Sequence, residues 1–476
     1  MATHLHIGQC GAQAGLCFWD LASKHYEPNV SSSPASGPLP TLNERCPQLF
    51  HAKGNCRAVW IDTEPKVLAE VMKKRYATGE QISYEQSGRG NNFALGYTGS
   101  NTICALAEDQ IRREAEQCDR FQGVILWHSL GGGTGSGVGT KLATTLRDSY
   151  AKGNILTISV LPDLDTDSPL LSYNAMFSMA CLSDVVDAQV LFQNSKVSDL
   201  MVDAMGRVNG YGLNNRNSSA SHSNFQMKDI NSYITRTLSD VLFPTSAADD
   251  FYTSHLSATR RRPFDLGSFV SSLCPIWDLK LVNVYSSCPA IARKRPTDSR
   301  EWRNVVDNLV NIVPKFDDNR KRVKALSTYI YVRKKKYVVK AQRKLKQRHK
   351  NSFANTKSDK SRKETLDDKA TKGLLKKLSS VCKFSSWYGD HGALKFHNVS
   401  RSLERPASGE NASIAICSNS SKNIPTLKRL NYNCKNMLDA KAYVHWYTKF
   451  GLELSDFEQG IARIDRIADI YSTWSV

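Results

Sequence analysis

Residues 123–162 read GVILWHSLGGGTGSGVGTKLATTLRDSYAKGNILTISVLP, and this stretch decides the fold. It opens with an apolar run suited to a buried strand. Five of the seven residues from Gly131 to Gly137 are then glycine. Leu142, Leu146 and Tyr150 follow at helical spacing, with Gly153 as a stop. A second strand runs from Asn154 and is closed by Pro162. The unit is strand, glycine loop, helix, strand, which predicts an α/β fold built on a parallel sheet. Its loop sits at the carboxyl end of a strand and the amino end of a helix, where such sheets bind ligands. Free amides and the helix dipole favour an anion there. The bland alternative is a flexible loop without a ligand. The strand and helix on either side favour phosphate, whose oxygens could approach amides that no Cβ shields.

Two common phosphate loops do not fit. Gly-x-x-x-x-Gly-Lys-Ser/Thr fails because no Gly-Lys follows at the right spacing. Gly-x-Gly-x-x-Gly ends on Ser136 when started at Gly131 and on Val138 when started at Gly133. The whole chain sets further bounds. Its 476 residues suffice for two or three domains, and 41% hydrophobic with 23% charged residues is a globular composition. No secretory pattern stands at Met1, and no apolar run of eighteen residues suggests a membrane span. Twelve scattered cysteines without a Cys-x-x-Cys pair suit a reducing cytoplasm better than disulfides or a zinc site. The net charge of +19 is local: residues 333–377 hold 18 Lys and Arg against 4 Asp and Glu. The high pI therefore belongs to one basic insert, not to the fold.

Gly-Gly-Gly-Thr-Gly-Ser-Gly resembles the tubulin signature, and the resemblance spreads. HIGQCGAQAGLCFWDLASKHY resembles the tubulin amino terminus, AVWIDTEPKV the second nucleotide loop, and SGRGNNFALGY the third. SYNAMFSMACLSDVVDAQVLFQN resembles the fifth loop and its following strand, DINSYITRTLSDVLFP the central helix, and KAYVHWYTKFGLE the carboxyl-terminal helical pair. Residues 351–380 match nothing in the family. Within it, TEPKV, IRREAEQCD, DVLFPT and KAYVHWYTKFGLELSDF look most like delta-tubulin, while CFWDLA looks more like epsilon-tubulin. The resemblance implies a GTP-binding domain over residues 1–205, a parallel sheet with helices on both faces. A polar insertion at 206–226, a central helix region at 227–250 and an intermediate α/β domain at 251–420 would follow, with a helical hairpin at 421–476.

Gly8 to Gly11 follow a short strand and precede a helix expected near Ala12, a second helix start aimed at phosphate. By resemblance Gln9 and Cys10 lie at the phosphates and sugar, and Gln13 near the base. Otherwise Cys10 reads as a small buried hydrophobe. Asp62 and Glu64 end an apolar strand. Without a ligand they read as a solvated turn; beside a triphosphate they would repel it unless Mg²⁺ intervenes. The resemblance places Glu64 in the Mg²⁺ shell, through water, and Asp62 by the γ-phosphate. It adds Gly90 and Asn91 from the third loop, and Ser129, Gly132, Thr134 and Gly135 from the fourth. Asn194 and Asn231 match the two asparagines that read guanine. Met227 stands where the family stacks a tyrosine, with Phe225 two residues earlier. Leu171 stands where the family has a glutamate near the ribose, followed by Ser172 in place of proline, which leaves Asp167 as a ribose acceptor.

In polymerising tubulins an acidic residue of the next subunit positions water against the γ-phosphate, work of the kind worth about 10²–10⁴-fold. Aligned on Leu266 and Pro275, that position falls on Ser268, which is no base at neutral pH without an activating partner. Asp265 is nearby but by resemblance occupies a structural position. The expectation is a GTP- or GDP-binding subunit with Mg²⁺ and weak or partner-dependent hydrolysis. A delta-tubulin type would act with alpha-, beta- and epsilon-tubulin at centrioles, basal bodies and the base of cilia or flagella, in triplet microtubules. The competing readings are a polymer-forming GTPase like alpha- or beta-tubulin, disfavoured by Ser268 and by an ending, YSTWSV, without an acidic tail, and a basic nucleic-acid binder on the same scaffold. The basic insert is either a solvated loop or a dock for acidic tubulin tails. Nucleic acid is disfavoured because no aromatic reading motif accompanies the charge.

Overall fold

The computed structural model describes residues 1–26, 42, 46–164, 168–208, 225–243, 264–287, 300–334, 383–384, 397–402 and 412–474. Nearly all of the basic and polar insertions, and Asp167, lie outside the described residues.

The strands are β1 (Ala2–Ile7), β2 (Ala58–Asp62), β3 (Ile82–Tyr84), β4 (Gly123–Ser129), β5 (Asn154–Leu161), β6 (Ala188–Gln193), β7 (Leu281–Ser286), β8 (Lys324–Lys334), β9 (Lys383–Phe384), β10 (His397–Ser402) and β11 (Ala412–Ser420). They form one sheet in the order β10-β8-β11-β7-β6-β5-β4-β1-β2-β3, with β9 beside β8. Pairing is parallel throughout from β3 to β7. β11 then runs antiparallel between β7 and β8. The sheet does not break where the amino-terminal domain was expected to end, because β6 pairs directly with β7 through Val190 and Val282.

Both faces of the parallel part are covered, which explains its near-continuous apolar strands. Along β4, Val124 and Leu126 enter one core while Ile125 and Trp127 enter the other. The first core receives the helices Asn101–Glu116, Gly139–Ser149 and Leu170–Val185. The second receives Gly8–Tyr26, Met227–Leu242 and Leu266–Leu273. On that second face His4 and His6 are buried among Trp19, Trp60 and Trp127. Trp19 Nε1 donates to His6 Nε2 at 2.9 Å, and Trp127 Nε1 donates to His4 Nδ1 at 3.2 Å. Burial holds His4 down at about 3 and His6 well below its ordinary value, so both are neutral.

The central helix Met227–Leu242 is tied to the far half of the sheet by buried Asp240. Its carboxylate accepts from Ser286 and Ser413, both at 2.7 Å. Arg333, first residue of the basic segment, is buried in β8 and donates to Asp240 O at 2.8 Å. That one arginine thus serves the fold rather than a docking surface. The helices Ile424–Asp439 and Leu454–Trp474 close the first face, where Tyr173 and Phe177 pack against Tyr447 and Phe457.

Candidate functional site

Strand order reverses between β1 and β4: β2 and β3 lie to one side, β5 and β6 to the other. The connections after these two strands therefore diverge to opposite sides and leave a crevice at their carboxyl ends. A cleft of about 420 Å³ opens there. Its wall collects Gly8, Gln9, Cys10 and Gln13 after β1, Asp62, Glu64 and Lys66 after β2, and Asn91 from the next loop. Ser129, Gly132, Gly133, Thr134 and Gly135 come from the loop after β4, and Met227 and Asn231 from the central helix. Of the residues singled out in the sequence, Gly90 and Asn194 are not on the wall, and Asp167 is outside the described residues.

Two helix starts meet in this cleft. The helix expected near Ala12 begins already at Gly8, so Gly-Gln-Cys-Gly is its first turn. The glycine run is itself helical: a wide turn over Gly133–Val138 leads into Gly139–Ser149. The turn's first bond runs from Ser136 N–H to Gly132 O at 3.0 Å. The amides of Gly133, Thr134 and Gly135 precede it, the usual position of unpaired donors. Gly8, at φ +71°, lies so close that a Cβ there would stand 3.1 Å from Gly135 N.

The glycines divide by task, and this corrects the expectation that each clears a path for phosphate. A Cβ on Gly135 would meet Ser129 O at 2.7 Å. On Gly137 it would meet Phe93 O at 2.5 Å, and on Gly133 Arg89 O at 2.7 Å. On Gly131 it would meet Pro162 and Leu171. These four let the loop pack onto its surroundings. Only at Gly132, among the five, would a Cβ meet nothing within 4 Å.

Asp62 is the electrostatic focus. It is 4% exposed, and burial raises its carboxyl to about 6, opposed by hydrogen bonds from the Thr63 and Glu64 amides. Thr63 N–H donates to Asp62 Oδ1 at 2.8 Å, and the Thr63 and Thr134 hydroxyls stand 2.6 Å apart, joining the second loop to the fourth. Glu64 is exposed at the start of the helix Pro65–Val71 and makes no side-chain cap. Its Oε1 lies where a Cβ on Gly88 would come within 2.5 Å. Among the described residues no three acidic, His or Cys side chains cluster as a closed metal cage. A Mg²⁺ ion that keeps its waters and shares a nucleotide's phosphates needs one or two carboxylates, and Asp62 with Glu64 fits that requirement. Cys10 is half-buried on the wall, and desolvation pushes its thiol up to about 12, so it is a neutral wall atom rather than a nucleophile.

At the other end of the cleft Asn231 Nδ2 reaches Gln13 Oε1 at 3.5 Å. Met227, half exposed, takes the tyrosine position on the wall, while Phe225 packs into the second core. Asn194 begins the helix Asn194–Val208, and its Oδ1 is buried without a partner. Leu171 leans on Gly131 instead of offering a polar group.

Three supporting residues escaped the sequence reading. Asn174 is fully buried; its Nδ2 donates to Asn91 O and Gly131 O, both at 2.7 Å, and its Oδ1 accepts from Phe93 N–H at 2.9 Å and Tyr447 Oη at 2.8 Å. It holds two loops of the cleft and the carboxyl-terminal region in one register. Asn92 caps the helix Phe93–Thr98 and donates to Trp446 O at 2.9 Å, so only the first asparagine of Asn91-Asn92 faces the cleft. His128 lies behind the glycine loop, its Nδ1 2.9 Å from Gly135 O and its Nε2 2.8 Å from Ser159 Oγ. Burial holds it down to about 4, so the ring is neutral and Nδ1–H donates to the loop.

Asp265 and Ser268 sit far from this chemistry. Asp265 caps the helix Leu266–Leu273, its Oδ1 accepting from Gly267 and Ser268 amides at 3.0 and 3.4 Å. Leu266 N–H donates to Gln122, the residue before β4 begins, so this helix starts at the strand ends opposite the cleft.

Residues 2–202 match the Tubulin/FtsZ family, GTPase domain. Over nearly its whole length the chain is 26% identical to the "Tubulin beta-1 chain" of Chondrus crispus, covering 99% of this chain and 93% of that one. It is 25% identical to the "Tubulin beta chain, nucleomorph" of Guillardia theta, at 99% and 95% coverage. The "Tubulin beta-1 chain" of Geotrichum candidum is 35% identical over 41% of this chain and 46% of its own length. The chain is thus similar to tubulins over nearly its whole length, most clearly across residues 2–202, where the GTPase-domain match lies.

Proposed function

We propose that the cleft binds GTP or GDP with Mg²⁺, and that the chain is a delta-tubulin-type subunit acting with other tubulins at centrioles and basal bodies. The observation that carries the nucleotide reading is convergence: four loops and the central helix bring amides, hydroxyls and two carboxylates to one crevice. The amides of Gly133 to Gly135 and the first turn at Gly8 receive phosphate oxygens. Mg²⁺, when bound, offsets the repulsion between those oxygens and the Asp62 and Glu64 carboxylates. Asn231 and Gln13 read the base edge, and Met227 covers its face with a soft sulfur contact in place of a stacked ring.

Hydrolysis depends on a partner. The acid-bearing position of the family falls on Ser268, and the neighbouring acid, Asp265, is occupied as a helix cap. The cleft and that helix lie at opposite ends of the parallel strands, an arrangement suited to head-to-tail contact with alpha-, beta- or epsilon-tubulin. The delta-type assignment rests on the motifs TEPKV, IRREAEQCD and KAYVHWYTKFGLELSDF. It puts the chain in the cytoplasm, at the centriole, basal body and base of the cilium or flagellum, in triplet microtubule assembly. The basic segment after buried Arg333, residues 334–377, then docks on acidic tubulin tails. Mass spectrometry of nucleotide released from the purified chain, with calorimetric titrations of GTP and ATP, tests the cleft. Equal affinity for the two would overturn the guanine assignment. Fluorescent tagging in a ciliated cell tests the location, and exclusive labelling of ordinary cytoplasmic microtubules would overturn it.

A further inference from the structure

We propose that Thr63 is a positioning residue that aims the Thr134 hydroxyl proton at a phosphate oxygen of the bound nucleotide. The inference rests on the nucleotide reading of the cleft and gives a task to a residue that is not on its wall. Thr63 is fully buried, between Asp62 and Glu64 where β2 ends. Thr134 is half-buried and lines the cleft between Gly133 and Gly135. The two hydroxyl oxygens stand 2.6 Å apart, so one donates to the other.

The direction of that bond follows from what else each hydroxyl can reach. Thr63 Oγ1 meets no other partner among the described residues. Were Thr134 the donor, the Thr63 proton would be buried with no acceptor, which folded proteins avoid. With Thr63 as donor its proton is satisfied, and the Thr134 proton is left for an acceptor in the cleft. A phosphate oxygen is such an acceptor, and it arrives beside the amides of the same turn. The resulting chain runs from Thr63 Oγ1–H to Thr134 Oγ1–H to phosphate, and each bond polarises the next. The Thr63 backbone serves the other side of the site, because its N–H donates to Asp62 Oδ1 at 2.8 Å. The side chain can therefore be changed without removing the bond that fixes the carboxylate.

Calorimetric titration of the full chain with GTP in Mg²⁺, beside differential scanning calorimetry, tests the assignment. Thr63→Val keeps the shape of the side chain and the backbone bond to Asp62, so the thermal midpoint should stay level. GTP should bind about three- to tenfold more weakly, as expected for one misdirected hydrogen bond. Thr63→Ser should bind like the parent. The double variant Thr63→Val/Thr134→Val should bind no more weakly than Thr134→Val alone, because Thr63 acts through that one hydroxyl. Parent-like GTP binding by Thr63→Val, failure of Thr63→Ser to restore binding, or a further loss in the double variant equal to that of Thr63→Val alone would each overturn the proposal. If Thr63→Val does not fold, Thr63→Ala replaces it in both comparisons. A parent chain that binds no GTP would refute the nucleotide reading itself, whereas a parent that binds GTP as tightly as Thr63→Val would refute this inference alone.

Discussion

Gly132→Val separates folding from binding more sharply than any other change in the glycine loop. Gly132 has φ −88° and ψ 159°, a conformation open to every L-residue, and a Cβ there meets no atom within 4 Å. Replacing glycine at such a position reduces the freedom of the unfolded chain and stabilises by about 0.4–1 kcal/mol. The thermal midpoint should therefore stay level or rise slightly. The isopropyl group, however, enters the 420 Å³ cleft beside the amides of Gly133 to Gly135. A phosphate displaced from one or two of those donors loses charge-assisted hydrogen bonds, roughly 2–4 kcal/mol together, or about 30- to 1,000-fold in affinity. Gly135→Val is the contrast: its side chain would collide with Ser129 O, so stability itself should fall. Calorimetric titration with GTP in Mg²⁺ and differential scanning calorimetry measure the two quantities. If Gly132→Val binds GTP like the parent, the phosphates do not sit on this loop. If it unfolds, the division of labour among the glycines is mistaken.

Three further outcomes follow from the same geometry. Glu64→Gln should weaken GTP binding about tenfold in Mg²⁺ and leave it unchanged or improved in EDTA, because the carboxylate is favourable only when a cation offsets it; an equal loss in both buffers removes Glu64 from the metal shell. Stability should fall with acid, by up to about 1.4 kcal/mol per pH unit for each buried neutral histidine, since the unfolded chain takes protons below about 6.5 that His4, His6 and His128 refuse. Asp62 runs the other way, protonating at about 6 when folded and near 3.8 when not, so Asp62→Asn should steepen the fall in thermal midpoint between pH 6 and pH 4; a slope unaffected by that variant refutes the assignment. Ser268→Glu should raise phosphate release from mixtures with a partner tubulin by at most about 10²–10³-fold and leave the chain alone unchanged, whereas a parent chain that already stimulates its partner equally would mean another group supplies the acid.

What the sequence made legible was local chemistry in chain order. The strand, glycine loop, helix and strand of residues 123–162 are all present, because an apolar run, a helical period and a breaker are each read within a few neighbours. Most of the candidate wall was named residue by residue through the tubulin resemblance; local pattern alone marked only the two glycine-bearing helix starts and the carboxylates at the end of β2. The misses have a common cause. Asn174, His128 and Asn92 act through partners far along the chain: Tyr447 is 273 residues from the first, Ser159 31 from the second, and Trp446 354 from the third. A single asparagine in an apolar helix gives no sign of which carbonyls it will meet. The glycines were misread by a related limit. Composition shows that Cβ atoms are missing, but only the surroundings show whether the space is filled by Ser129, by Phe93 or by nothing.

Those long-range bonds also constrain how the site can work. Asn174 joins Asn91 O and Gly131 O to the Tyr447 hydroxyl, and Asn92 joins the same loop to Trp446 O. The third loop is thereby hydrogen-bonded, through Asn174 and Asn92, to the short helix Val444–Thr448. Trp446 in that helix and Tyr443 at its start are about half exposed. Two asparagines thus connect the third loop of the cleft to this surface by direct hydrogen bonds, a separate connection from the sheet.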